Sequence, residues 1–139
     1  MQKPRYLVGS ALVAVERHRQ DEATDFVREA WEYAEERGMK YFYPLIAATN
    51  AQVSAAGGKA ERAMEQFARA EALAIAMQMR PLVWQARAGA ARVLYASGHA
   101  SEAEAKRHAA AETIHEIAGL LEDENLSATF VESATSKLR

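Results

Sequence analysis

Runs of mixed apolar and charged residues fill this chain, and only short polar or glycine-bearing points interrupt them. The interruptions fall near residues 17–20, 38–40, 57–59, 79–81, 97–99 and 122–125. Seven glycines and three prolines are all the strong breakers present, and the stretches between them are rich in Ala, Glu, Arg, Leu and Met, which favour helix. The pattern predicts seven helices of about 12 to 20 residues. Connections this short favour antiparallel neighbours. In the last segment Leu126, Phe130, Val131 and Ala134 fall on one helical face, the arrangement expected of a helix that closes an array.

Offsetting the sequence by 40 positions reveals an internal repeat. Ala11 aligns with Ala51 and Ala91, Val13 with Val53 and Val93, Ala23 with Ala63 and Ala103, and Ala30 with Ala70 and Ala110. Alanine makes up 31 of the 139 residues, so about 0.4 all-alanine columns would arise by chance in such a window. Three such columns together with the valine column exceed chance. Matches between two copies add Ala34 with Ala74, Met39 with Met79, Gly58 with Gly98, and Ala60 with Ala100. Each unit reads as a helical hairpin turning at His18, Gly58 or Gly98. Alanines at the crossings allow close approach, and Leu7, Phe67, Leu94 and Ile114 fill the space between crossings. One hairpin cannot bury its own apolar face, so the units are expected to stack into a continuous solenoid core with the first helices lining the concave side. The expected fold is therefore all-α, a single domain over 1–139. Its repeats cover about 4–40, 41–80 and 81–120, and a C-terminal capping helix covers about 123–136.

Composition narrows the functional classes. The chain has 139 residues, half of them hydrophobic, enough for one buried core. Lysine and arginine total 17 against 19 acidic residues, so the clustered basic excess of a nucleic-acid binder is not expected. With no cysteine there is no disulfide framework, thiolate metal site or cysteine nucleophile, a composition that fits the cytoplasm. The start, Met1-Gln2-Lys3-Pro4-Arg5, leads into mixed sequence without a long uncharged run, so neither a signal peptide nor a membrane partner is expected.

Small residues at the eighth, twentieth and twenty-seventh positions of each unit, with glycine after the first helix, resemble the tetratricopeptide repeat. Leu7, Ala47 and Arg87 then stand at the fourth position, Ala11, Ala51 and Ala91 at the eighth, and Phe67 at the aromatic twenty-fourth. The likeness covers about residues 4 to 120. It departs from the family in its 40-residue unit, its lack of the fourth-position tryptophan, and its lack of a unit-ending proline. The resemblance implies a right-handed α-solenoid. The tail Ile114-His115-Glu116-Ile117-Ala118, followed by Asp123, Leu126, Phe130 and Val131, resembles C-terminal repeat arrays of large bacterial signalling proteins. Those include nucleotide cyclases, kinases and LuxR-type or maltose-regulator-type activators, in which an arginine often follows the leucine where this chain has Ser127. That likeness implies a regulatory segment of a longer polypeptide.

Chemistry-bearing groups have plain structural readings. His108 and His115 are seven apart, whereas helical metal pairs sit four apart with a converging third ligand, and His18 and His99 fall at turns; no metal or cofactor is expected. Glu32, Glu35, Glu36, Glu102, Glu104, Glu112, Glu122 and Glu124 lie among Arg and Lys on charged faces rather than in a dry acid-base pocket. Gly57-Gly58-Lys59 lacks the spacing of a phosphate loop, and no serine sits in a glycine-flanked elbow. An enzyme is not expected. Trp31, Tyr33, Tyr41, Phe42, Tyr43 and Trp84 concentrate around the second unit's first helix, either as core between hairpins or as anchors for a partner.

The family geometry implies a concave face formed by Arg5, Val8, Leu12 and Val15, then Leu45, Ala48, Gln52 and Ala55, then Gln85, Ala88, Arg92 and Tyr95. The candidate groove residues are Arg5, Val8, Leu12, Leu45, Gln52, Gln85, Arg92 and Tyr95. Their guest is a helix or extended peptide, with Arg5, Gln52, Gln85 and Arg92 supplying hydrogen bonds. Equally, Val8, Leu12 and Val15 can pack against a preceding hairpin. The Lys, Asn and Arg clamp with which some family members hold chaperone tails would fall on Val8, Leu12, Thr49, Gln85 and Gly89, and is missing. The expected function is a protein or peptide docking scaffold, or a docking site for other domains of a parent chain; the other reading is a small-molecule effector sensor. Tyr6, Leu7 and Val13 at the first helix are expected to be partly in water, so a homodimer through that end is a further expectation.

Overall fold

A computed structural model describes residues 2–121 and 123–138; Glu122, which belongs to the expected last break and to the charged faces, lies outside them. The described residues form helices only. They are α1 (Lys3–Glu16), α2 (Gln20–Glu36), a 3-10 turn (Lys40–Phe42), α3 (Tyr43–Ala56), α4 (Ala60–Ala76), α5 (Arg80–Ala96), α6 (Ala100–Ala118) and α7 (Glu124–Ser136). None is long and apolar enough to cross a membrane.

Every turn from α1 to α6 is closed the same way. His18, Gly38, Gly58, Gln78 and Gly98 all have positive φ, and each is followed by a residue whose N–H reaches back over the turn: Arg19 to Ala14 O at 2.8 Å, Met39 to Ala34 O at 2.8 Å, Lys59 to Ser54 O at 2.9 Å, Met79 to Ala74 O at 2.8 Å and His99 to Leu94 O at 2.8 Å. These are Schellman closures, which satisfy the carbonyls left open at a helix end. The left-handed residues recur every 20 positions, half of the 40-residue repeat. The residues that accept those bonds fall in the same register as Ile114 and Ala134 further on. All seven, Ala14, Ala34, Ser54, Ala74, Leu94, Ile114 and Ala134, are buried.

The structure shifts two of the expected breaks. The fourth spans 77–79 rather than 79–81, so Pro81 lies in the first turn of α5, where its missing N–H has no helical partner to lose. The last lies between Ala118 and Glu124, with Asn125 already helical. There Asp123 caps α7 by accepting from the N–H of Leu126 at 3.0 Å.

Each helix packs against the next, and α1 also meets α3, as α3 meets α5. Contacts between α4 and α5 run in opposite chain order, Phe67 against Gly89 and Glu71 against Arg87, so the two are antiparallel. Three apolar clusters follow one another along the molecule. Leu7, Ala11, Val27, Ala30 and Ile46 centre the first, Ala47, Ala51, Phe67 and Ala70 the second, and Trp84, Ala88, Ala110, Ile114 and Ala134 the third. The alanine columns at 11, 23, 30 and their equivalents are buried throughout. The four fillers Leu7, Phe67, Leu94 and Ile114 are buried as well. Ala134 of α7 belongs to the third cluster, and Phe130 and Val131, with Leu138 just after the helix, pack against it; Leu126, expected on the same covered face, is instead 62% exposed.

Candidate functional site

The eight groove residues stand at matching positions of α1, α3 and α5, and packing separates them into two kinds. Arg5, Gln52, Gln85, Arg92 and Tyr95 are exposed, and Leu12 and Leu45 half-buried. Val8 is only 6% exposed and belongs to the first cluster; its equivalents Ala48 and Ala88 are 7% and 3% exposed. That middle column is part of the packing between neighbouring first helices, so Val8 offers nothing to a guest and is withdrawn from the site. Tyr95 is 66% exposed. Arg92 is turned toward α7, where its Nη2 donates to the carbonyl of Lys137 at 3.2 Å.

Of the eight, Arg5 and Leu45 come together in a defined cleft of about 340 Å³ at the amino-terminal ends of α3 and α5. Its other walls are Tyr41, Phe42, Gln78, Met79, Pro81 and Leu82. The 3-10 turn sets Tyr41 outward, 65% exposed, and Phe42 inward, 4% exposed, with their rings edge to face at 5.8 Å. The Arg5 guanidinium lies 5.8 Å from the centre of the Phe42 ring, and its Nε donates to Gln2 Oε1 at 3.0 Å. No carboxylate among the described residues pairs with it. The cleft thus offers apolar walls, one exposed aromatic edge, the Gln78 amide and one cation, a combination suited to an apolar side chain beside a negative or carbonyl group.

Tyr41 stands among the aromatic anchor candidates of the sequence, whereas Gln78, Met79, Pro81 and Leu82 do not. A signal was present: positions 41 and 42 of one unit align with 81 and 82 of the next, and Met39 with Met79. Reading the break at 79–81 as a loop hid their convergence. The aromatic concentrations divide. Trp84 and Phe42 are buried, Trp31 and Tyr43 are half-buried with ring centres 5.2 Å apart, and Tyr41 alone among them stands well out.

The charged residues form local pairs. His108 Nε2 lies 3.0 Å from Glu112 Oε1, Arg107 Nη1 2.9 Å from Glu104 Oε2, and Arg28 Nη2 2.6 Å from Asp25 Oδ1, all on outward faces. Among the described residues no group of three or more His, Asp or Glu side chains gathers as metal ligands would. One pair lies deeper. Arg87 donates to Glu71 Oε1 at 2.6 Å, to the carbonyl of Ala109 at 3.2 Å and to Thr113 Oγ1 at 2.6 Å, tying α4, α5 and α6 together.

No protein-family model, curated protein or solved structure matches this chain.

Proposed function

We propose that this chain is a docking module of the tetratricopeptide type. In this reading three 40-residue hairpins stack as a right-handed α-solenoid, α7 caps the last of them, and the module binds without carrying out a reaction. The cleft at Arg5, Tyr41 and Leu45 takes an extended or helical peptide, burying one apolar side chain while Arg5 meets a carboxylate or carbonyl. The observation that carries this is the exposed Tyr41 ring in one cleft with a guanidinium that has no carboxylate partner among the described residues, over apolar walls. Tyr and Arg are the side chains most often found at binding hot spots. The repeat likeness supports a cytoplasmic regulatory segment of a larger bacterial signalling or transcription protein, with another protein or another domain of the parent chain as the guest. A second reading, a small-molecule effector sensor, is favoured by one observation: the cleft volume of about 340 Å³ falls within the range of small-ligand sites.

The test compares bacterial-lysate partners of the native chain with those of two surface variants, Arg5→Glu with Tyr41→Ala, and Arg92→Glu with Tyr95→Ala. A protein lost only from the first variant supports peptide docking in the cleft. Retention of all partners by both variants counts against it. A small molecule carried by the native chain in native mass spectrometry, and absent from the first variant, supports the sensor.

A further inference from the structure

The uncovered side of α1 has a different character from the cleft. A hollow of about 660 Å³ lies there, walled by Tyr6, Gly9, Val13 and Phe26 and rimmed by Arg17, Arg19, Glu22 and Arg5, the last shared with the cleft, so that three cations stand against one carboxylate. Tyr6 is 56% and Val13 46% exposed. The repeat supplies a comparison inside the same molecule. The column of Tyr6 continues as Ile46 and Ala86, at 0% and 1% exposure, and that of Val13 as Val53, at 3%, and the half-buried Val93. In α3 and α5 these positions share apolar clusters with residues of the preceding helices, Val27 and Ala30 of α2 and Phe67 and Ala70 of α4.

Gly9 extends the comparison. Its equivalent Gly89 is the seat of the Phe67 ring from α4, and a Cβ there would collide with that ring. At Gly9 a Cβ would meet nothing within 4 Å. A glycine in the middle of a helix costs stability relative to alanine, and at Gly9 no contact within the chain requires it. The rim carries the second half of the argument. Beside α5, Glu61 and Glu65 of α4 share a groove with Val93, Leu94, Ser97 and His99. The equivalents of those four on the first unit are Val13, Ala14, Arg17 and Arg19, all of which border the α1 hollow. Where an α4-type helix would bring two carboxylates, the first unit thus presents two arginines. Arg19 is engaged only by Glu22 at 3.6 Å, on the surface, and no carboxylate among the described residues pairs with Arg17.

We infer that the uncovered face of α1 is a docking surface for an acidic amphipathic helix of a partner protein. The helix lies antiparallel to α1 as α4 lies against α5, with an aromatic side chain seated on Gly9 and carboxylates against Arg17 and Arg19. Shape and charge both select this guest. A flat apolar partner would leave the Gly9 seat empty, and a basic helix would be repelled by the rim.

The probe is a synthetic peptide with the sequence of residues 60–76, held helical by a hydrocarbon staple replacing Ala68 and Ala72, which face outward in α4. Added to the intact, isotope-labelled chain, it is expected to bind one to one and to shift the amide signals of Tyr6, Gly9, Ser10 and Val13. Replacing Phe67 by Ala in the peptide weakens binding about tenfold or more, and so does Gly9→Leu in the chain. Replacing Glu61 and Glu65 by Gln in the peptide weakens binding about tenfold and removes most of its dependence on salt. Circular dichroism and thermal unfolding establish that the Gly9→Leu chain is folded, as the open space at that position predicts. No binding at millimolar peptide, shifts centred on α5, or indifference to Gly9→Leu each overturns the proposal. Sedimentation of the native chain tests a second copy as the occupant: a concentration-dependent dimer that Gly9→Leu abolishes overturns the proposal in favour of self-association through this face.

Discussion

Two glycines 80 positions apart make opposite demands on the same substitution. Gly9→Ala adds a methyl into open space and removes a helix-weakening residue, so unfolding in urea should show a gain of about 0.5–1 kcal/mol. Gly89→Ala drives a methyl into the Phe67 ring between α4 and α5 and should cost about 1–3 kcal/mol. Two losses would mean that α1 is also covered at Gly9. The turns make a similar contrast. His18 and Gln78 hold the left-handed conformation that Gly38, Gly58 and Gly98 hold at no steric cost, and both are exposed. His18→Gly and Gln78→Gly should each raise stability by about 1 kcal/mol in thermal unfolding, and Gly58→Ala should lower it by a similar amount. These same two residues explain what the sequence concealed at this scale. With glycine at only three of five turns, the 20-residue half-period was invisible, although the 40-residue period could be read from the alanine and valine columns.

At the scale of the helix, one polar network centred on Arg87 ties α4, α5 and α6 together. Arg87 and Glu71 are each less than a quarter exposed, and Thr113 is 2% exposed. Arg87→Met keeps the length of the side chain but leaves Glu71 facing only Lys106 at 4.0 Å, and a loss of about 2 kcal/mol is expected in urea unfolding. Joint replacement, Arg87→Met with Glu71→Met, should recover part of that loss, because no half-buried charge is then left alone. No recovery would place the cost in the bonds to Ala109 and Thr113. Helix count and most boundaries could be read from breakers and composition. Arg87 could not, because nothing in its local sequence indicates that Glu71, 16 residues earlier, and Thr113, 26 residues later, converge on it. Arg5 and Leu45 were legible through their repeat positions. Tyr41 was legible as a possible anchor; Met79 and Leu82 were not, because a cleft formed where two helices begin depends on where the preceding turns end.

Across the whole molecule the two ends are treated differently. α7 lies over Trp84, Ala88 and Ile114 and turns Glu124, Asn125, Thr129 and Glu132 outward, with Leu126 exposed among them, whereas α1 has Tyr6 and Val13 exposed and, among the described residues, no helix over them. Removing residues 123–139 should therefore destabilise the remainder by about 2–4 kcal/mol in urea and shift tryptophan emission to the red as Trp84 meets water. An unchanged emission maximum would mean that Trp84 stays covered without α7. The buried column that recurs every 20 residues has a further consequence, for how such a chain can change length over generations. Odd and even helices share that column but differ in the rest, since the alanines at 11, 51 and 91 belong to one kind and those at 23, 63 and 103 to the other. Loss of a single 20-residue segment by recombination would set two helices of the same kind side by side with mismatched faces. Loss of 40 would restore the alternation, with a void over Gly89 where Val27 replaced Phe67 as the main flaw to repair. Deleting 41–80 should leave a shorter chain that still unfolds cooperatively, and deleting 41–60 should not. The array thus inherits insertions and deletions as quantised steps, and two turns of the genetic ratchet are safer than one.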